Sequence, residues 1–189
     1  FYTLFNGYFV EFDVLRREYS FFHETAPRMA MGMTEDDDGL IWSSTYPQSG
    51  VVCYNPKNGD FTDYGHVYEQ NWRQYPTTLA ADDTGWLYFG IGTPLSQIIA
   101  FDKECGTGIP LLAEEERVKG SPSVFRDMNG KVYAIPPDDT AWAAENPGDE
   151  GGCELYKGER KTVAKHELKE KLFIAGKAFH FHPDFPNGK

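Results

Sequence analysis

Asp36-Asp37-Asp38-Gly39-Leu40-Ile41-Trp42 decides the fold, because the chain writes the same phrase again. It returns as Asp82-Asp83-Thr84-Gly85-Trp86-Leu87-Tyr88, as Asp127-Met128-Asn129-Gly130-Lys131-Val132-Tyr133 and, more faintly, as Ala175-Gly176-Lys177-Ala178-Phe179. The four glycines stand 46, 45 and 46 residues apart, each followed three residues later by a large aromatic. Each phrase reads as a tight turn feeding a strand of aromatic and apolar residues. A period of this length marks a supersecondary unit that must stack on its neighbours to bury its apolar face.

Working outward from Trp42, the chain passes a loop, Tyr46-Pro-Gln-Ser-Gly50, a strand, Val51–Tyr54, a second turn, Asn55-Pro-Lys-Asn-Gly59, and a further strand beginning at Asp60. The next unit does the same with Gln97–Phe101, the turn Asp102–Gly106 and Ile109–Leu112. Ahead of each turn lies another short apolar segment: Met31–Met33, Thr78–Ala80 and Pro122–Phe125. The unit is therefore four short antiparallel strands, A to D, in about 45 residues, the β-propeller solution. A β-sandwich would not hold the glycine and aromatic at constant spacing, and a β-helix has shorter coils.

The expected architecture is all-β: a propeller of four-stranded antiparallel blades, with about four blades or parts of blades visible. The boundaries fall at 1–28 (the tail of one), 29–74, 75–119, 120–165 and 166–189 (the start of one). Gly7–Asp13 reads as the third strand of the leading blade, with Phe12 corresponding to Tyr54, Phe101 and Tyr156. Both ends cut through the repeat, so the sequence reads as a piece of a larger ring, expected to expose strand edges and to self-associate.

Composition agrees with a β protein: 15% aromatic, 19 Gly and 12 Pro. The formal charge of −11 argues against nucleic acid or an anionic membrane as partner, while leaving room for a local cationic pocket. No apolar run approaches the ~18 residues of a membrane-spanning helix. The 3 Cys have no metal-type spacing and read as isolated thiols.

Thr34–Thr45 followed by Tyr54-Asn-Pro-Lys-Asn-Gly-Asp-Phe61 resembles a known blade type, the "DxxGxxW…(Y/F)(D/N)PxTGxF" repeat of bacterial streptogramin-lyase-like and two-component-regulator propellers. Gluconolactonase-like propellers are similar. Asp83–Tyr88 with Phe101–Gly106 repeats the pattern, and Tyr156-Lys-Gly departs from it. The resemblance implies a fold shared by lyases, lactonases, sensors and binding modules, and no single activity. It also implies an exported protein, extracellular or periplasmic.

Antiparallel order puts the A–B and C–D turns on one face and the B–C loops with the D-to-A crossovers on the other. The first set is tight and has no length to spare. Its acidic cluster, Asp36–Asp38, lacks the later ligands of a calcium loop and reads as a solvated turn. The second set carries the unusual residues: the crossover His66–Pro76, the loops holding Tyr46, Gln48, Thr93 and Ser96, and the long third loop 136–152 with Trp142. Long loops on rigid scaffolds carry function. Fourteen residues before each strand-B aromatic stand Arg28, Gln74 and Lys119, with Arg73 beside Gln74.

Ligand-binding candidates are accordingly Arg28, Tyr68, Trp72, Gln74, Lys119 and Trp142. Tyr46, His66, Tyr75 and Arg73 are the candidates for catalysis, should there be any. An Arg can grip a carboxylate-bearing sugar, and a neighbouring Tyr or His can act as base or acid. Each also has a plain reading, as loop packing or a solvated side chain. His180 and His182 share one face of a presumed strand but have no identifiable third metal ligand. Gly90-Ile-Gly92 has no third glycine and no following helix, so it is no dinucleotide loop. The expected partner is a small molecule, a carbohydrate or a protein. No cofactor is identifiable. The leading reading is a binding domain, with a lyase or lactonase and a sensor input domain as alternatives.

Overall fold

The structure is a computed structural model that describes residues 1–135, 137, 150–164 and 167–168. Trp142, most of the long third loop, His180, His182 and the fourth glycine–aromatic pair lie outside the described residues.

Among the described residues fifteen strands follow one another: β1 (Tyr2–Phe5), β2 (Tyr8–Asp13), β3 (Glu18–Glu24), β4 (Met29–Glu35), β5 (Ile41–Tyr46), β6 (Gly50–Tyr54), β7 (Phe61–His66), β8 (Tyr75–Ala81), β9 (Leu87–Gly92), β10 (Gln97–Asp102), β11 (Thr107–Pro110), β12 (Ser123–Arg126), β13 (Val132–Ile135), β14 (Glu150–Tyr156) and β15 (Glu159–Ala164). All pairings are antiparallel. Two sheets have four strands, β8-β9-β10-β11 and β12-β13-β14-β15, each in sequence order. The third differs from the expected separate blade. Its order is β3-β2-β1-β4-β5-β6-β7, and β4 joins β1 through the single pair Phe5–Met29. The leading segment supplies three strands, with β2 where a third strand was read and β1 and β3 on either side of it; Asn6-Gly7, both at positive φ, closes a β1–β2 hairpin that the 45-residue phrase does not announce.

The first strands of successive units lie side by side, β4 beside β8 and β8 beside β12. Their spacing is set by missing side chains. A Cβ on Gly90 in β9 would fall inside the Pro122 carbonyl that leads into β12. Three cores lie between successive units. Phe9, Ile41, Val52 and Tyr54 form one. Trp42, Val51, Leu79, Phe89 and Phe101 form the second, and Tyr88, Ile98, Val124, Val132 and Leu155 the third. Alternate residues of β9 serve the second and third cores, Phe89 inward on one side and Tyr88 on the other, as the period of a strand requires. The central sheet is therefore apolar on both faces, which is why β9 and most of β10 are buried throughout.

The opening phrase is explained by its aspartate. Asp36, Asp82 and Asp127 are buried, against the expectation of solvated turns. Asp36 Oδ1 accepts from the backbone N–H groups of Asp38 and Leu40, and its Oδ2 accepts from Trp42 Nε1 at 2.8 Å. Asp82 repeats this with Thr84, Trp86 and the Tyr88 hydroxyl. Gly39, Gly85 and Gly130 close these turns with φ between +80° and +89°. Carboxylate, glycine and aromatic are one device, and that fixes their spacing. The C–D turns have a second device. Asp13, Asn55 and Asp102, each following an aromatic, accept from the backbone two residues on. Where Lys157 stands in that place, a two-residue turn with positive φ at Lys157 and Gly158 replaces it.

Candidate functional site

On the face opposite the tight turns, the β5–β6 loop and the crossover from β7 to β8 enclose a cleft of about 390 Å³. Its lining is Pro47, Gln48, His66, Gln70, Asn71, Trp72, Arg73 and Gln74. The two segments are tied together through Gln74. Ser49 N–H donates to Gln74 Oε1 at 3.0 Å, and His66 Nε2 lies 2.9 Å from the same oxygen. A backbone N–H needs an acceptor, so the amide can sit only one way round. His66 Nε2 must then carry its proton, leaving Nδ1 as acceptor in the neutral ring. Gln74 is 1% exposed, and its Nε2 has no protein partner; neither does the buried Ser49 hydroxyl.

A second polar chain runs beside the cleft. The Gln70 amide donates to the Tyr68 hydroxyl at 3.0 Å, and its carbonyl accepts from Arg117 Nη2 at 3.2 Å. Arg117 also donates to the Ser96 carbonyl at 2.9 Å and pairs with Glu114 at 2.9 Å. Two crossovers are thus joined on this face, with a guanidinium buried between them.

Of the residues expected from sequence, His66, Trp72, Arg73 and Gln74 come together in the cleft lining. Tyr68 sits behind it, packed on the core beneath. Tyr46 and Tyr75 face each other with ring centroids 5.1 Å apart, outside that lining. Their hydrogen bond raises the Tyr75 pKa, and nearby Arg73 only partly opposes it. That direction is the opposite of what a base at neutral pH needs. Arg28 and Lys119 are exposed and line no part of the cleft; the Arg28 backbone bonds the Tyr46 carbonyl. Sequence reasoning missed Ser49, bonded to Gln74 25 residues on, and Arg117, bonded to Ser96 and Gln70 at 21 and 47 residues' distance. Among the described residues no three His, Cys, Asp or Glu side chains converge as a metal site would require.

No protein-family model matches the sequence, and no curated protein matches it. Solved structures do. The extracellular domain of BT4673 from B. thetaiotaomicron is similar over 86% of this chain in two structures, at 16% and 15% identity with TM-scores of 0.56 and 0.52. One assigns BT4673 to a one-component system and the other to a hybrid two-component system. This chain spans about a fifth of the length of that domain (20%). A catalytically inactive virginiamycin B lyase from Staphylococcus aureus, with quinupristin, matches at 12% identity over 84% of this chain and 63% of its own, with a TM-score of 0.35. The fold is all-β, built of antiparallel sheets, and propeller-like in its partial match to the larger BT4673 domain.

Proposed function

We propose that this chain is part of an extracellular propeller that binds a small polar ligand, of the carbohydrate class, in the cleft between the Pro47–Ser49 loop and the 66–74 crossover. The observation that carries this reading is the Gln74 amide, locked by two bonds to its oxygen while its buried Nε2 stays unpartnered in the cleft wall. A buried donor without an acceptor costs about 1–3 kcal/mol. A ligand hydroxyl or ring oxygen would remove that cost. Trp72 offers an aromatic surface, and Gln48, Gln70 and Asn71 offer amides, the mixture of ring face and planar donors that suits sugars. Fold similarity to an extracellular signalling domain supports the placement outside the cell and a sensing role, by analogy.

The test is calorimetric titration with a panel of mono- and disaccharides, repeated on Trp72→Ala and Gln48→Ala. Both variants are expected to weaken binding by about tenfold or more while melting as the parent does. Binding that survives both unchanged would place the ligand elsewhere on the protein.

A further inference from the structure

Resting on that reading, we propose that the cleft selects an anionic ligand, a small sugar acid or similar carboxylate, with Gln74 Nε2 and Arg73 as its two donors. The argument is one of charge and donor count. The protein carries a formal charge of −11, yet none of the eight cleft-lining residues is acidic. The lining holds one guanidinium, one imidazole, an indole and four side-chain amides. Among the described residues Arg73 has no carboxylate partner, its neighbour being the Tyr75 hydroxyl. Arg117, also on this face, pairs with Glu114, while Arg28 and Lys119 are exposed and line no part of the cleft.

The remaining charges nearby do not cancel Arg73. Glu69 lies 3.9 Å from His66 Nδ1 but is 86% exposed and outside the lining. Arg117 contributes from behind Gln70. The amide chemistry points the same way. Because Ser49 and His66 both take Gln74 Oε1, the only valence Gln74 has left is a donor. A carboxylate supplies acceptors to both Arg73 and Gln74, whereas a neutral hydroxyl must share one oxygen or leave one donor dry.

The experiment is calorimetry at pH 7 and low salt with the methyl glycosides of galacturonic acid and galactose, which differ only at C6. The acid is expected to bind about tenfold or more tighter, with the preference lost in Arg73→Gln. Gln74→Leu is expected to weaken the acid further, but Gln74 also ties two loops together. Arg73 is exposed, so its variant keeps the test sound if the other fails to fold. Equal affinity for the two glycosides, or an acid preference that persists in Arg73→Gln, overturns the charge selection and leaves the cleft as a neutral-sugar site. Binding of neither glycoside also overturns it. In that case the wider saccharide panel decides separately whether the ligand-binding reading stands.

Discussion

Lys103 Nζ stands 2.9 Å from Asp38 Oδ2 and 3.4 Å from Asp36 Oδ2, so the C–D turn of one unit grips the A–B turn of the unit before it. The next pair of units repeats the grip with backbone in place of ammonium. Lys157 N–H donates to Asp82 at 2.9 Å and Gly158 N–H to the Tyr88 hydroxyl at 2.8 Å. The buried aspartate thus serves its own turn, its own strand aromatic and the neighbouring unit.

From this follows the first prediction. Asp36→Ala leaves the Trp42 indole N–H and the backbone donors of Asp38 and Leu40 without their acceptor. With Trp42 only 1% exposed, water cannot replace it there. The expected loss is about 2–4 kcal/mol in a urea titration, from one orphaned buried donor plus a broken turn. Lys103→Met removes only a partly exposed ion pair and is expected to cost about 1 kcal/mol or less. Equal losses in the two variants would show that the aspartate acts through Lys103 alone.

Close approach of the units supplies a second prediction, comparing two glycines. A Cβ at Gly90 collides with the backbone of Pro122, which cannot swing aside as a side chain can. At Gly59 nothing lies within 4 Å, and the only penalty is a φ of +80°. Gly59→Ala is expected to cost about 1 kcal/mol, and Gly90→Ala about 3 kcal/mol or more, because the innermost strands must part. Thermal melts of the two variants rank them; the reverse order would mean that Gly90 does not sit at a tight junction.

Much of this architecture was legible in the sequence because its cause is local. A turn, its glycine and the aromatic it delivers lie within seven residues, so their spacing survives as a pattern. The burial of Asp36 was not legible. An aspartate in a turn looks the same whether water or a tryptophan six residues away takes its oxygen, and Lys103 is distant in sequence. The site shows the same division. Counting back from the strand aromatics placed Gln74 on the irregular face together with Arg28 and Lys119. Repeat position specifies where the backbone lies, however, and not which side chain finds partners. Only Gln74 meets a neighbouring loop, through Ser49 and His66, while Arg28 and Lys119 stay exposed. The β1–β2 hairpin went unread because Asn6-Gly7 lies outside the recurring phrase.

Acid should loosen the tight-turn face. Arg126 holds Asp37 through two bonds, Nη1–Oδ1 at 2.9 Å and Nη2–Oδ2 at 2.6 Å, joining β12 to the turn after β4. The hydrogen bond from Arg126 holds the Asp37 carboxyl below its ordinary value of 3.8. Glu116, paired with Arg160, is likewise lowered from 4.5. Folded carboxyls that release their protons more readily than unfolded ones stabilise the fold fully above those ordinary values. That contribution drains away as pH falls through the lowered ones. The melting temperature is therefore expected to drop below about pH 4, and less steeply in Asp37→Asn. Salt at about 0.5 M should shrink the difference, since Asp37 is largely exposed. Identical slopes in parent and variant would remove Asp37 from the account.

The three cysteines provide a probe of whether the inter-unit cores open. Cys53 is buried between the second and third units, and burial first, then the charge of Asp36, pushes its thiol from 9.0 up to about 12. Cys153 is buried in the next core, where burial pushes it to about 11. Cys105 is exposed in the β10–β11 turn, with its thiol raised by a hydrogen bond to Asp102. Only the thiolate reacts with iodoacetamide, so exposure and charge together set the rates. One of the three thiols is expected to label in the native protein at pH 8, none in Cys105→Ser, and all three in urea. The Cys105 rate should rise in Asp102→Asn, which removes the carboxylate that opposes ionisation. The sign of the buried pair's linkage is also determined. The unfolded chain loses those protons more easily, so their contribution is complete below about pH 9 and declines as pH climbs toward the raised values. Slow labelling of Cys53 in the native state would then measure separation of β6 from the β8–β11 sheet. Suppression of that labelling by Lys103, compared with Lys103→Met, would show whether the turn-to-turn grip governs the opening. Rapid labelling of two or three thiols in the folded protein would contradict the buried cores themselves.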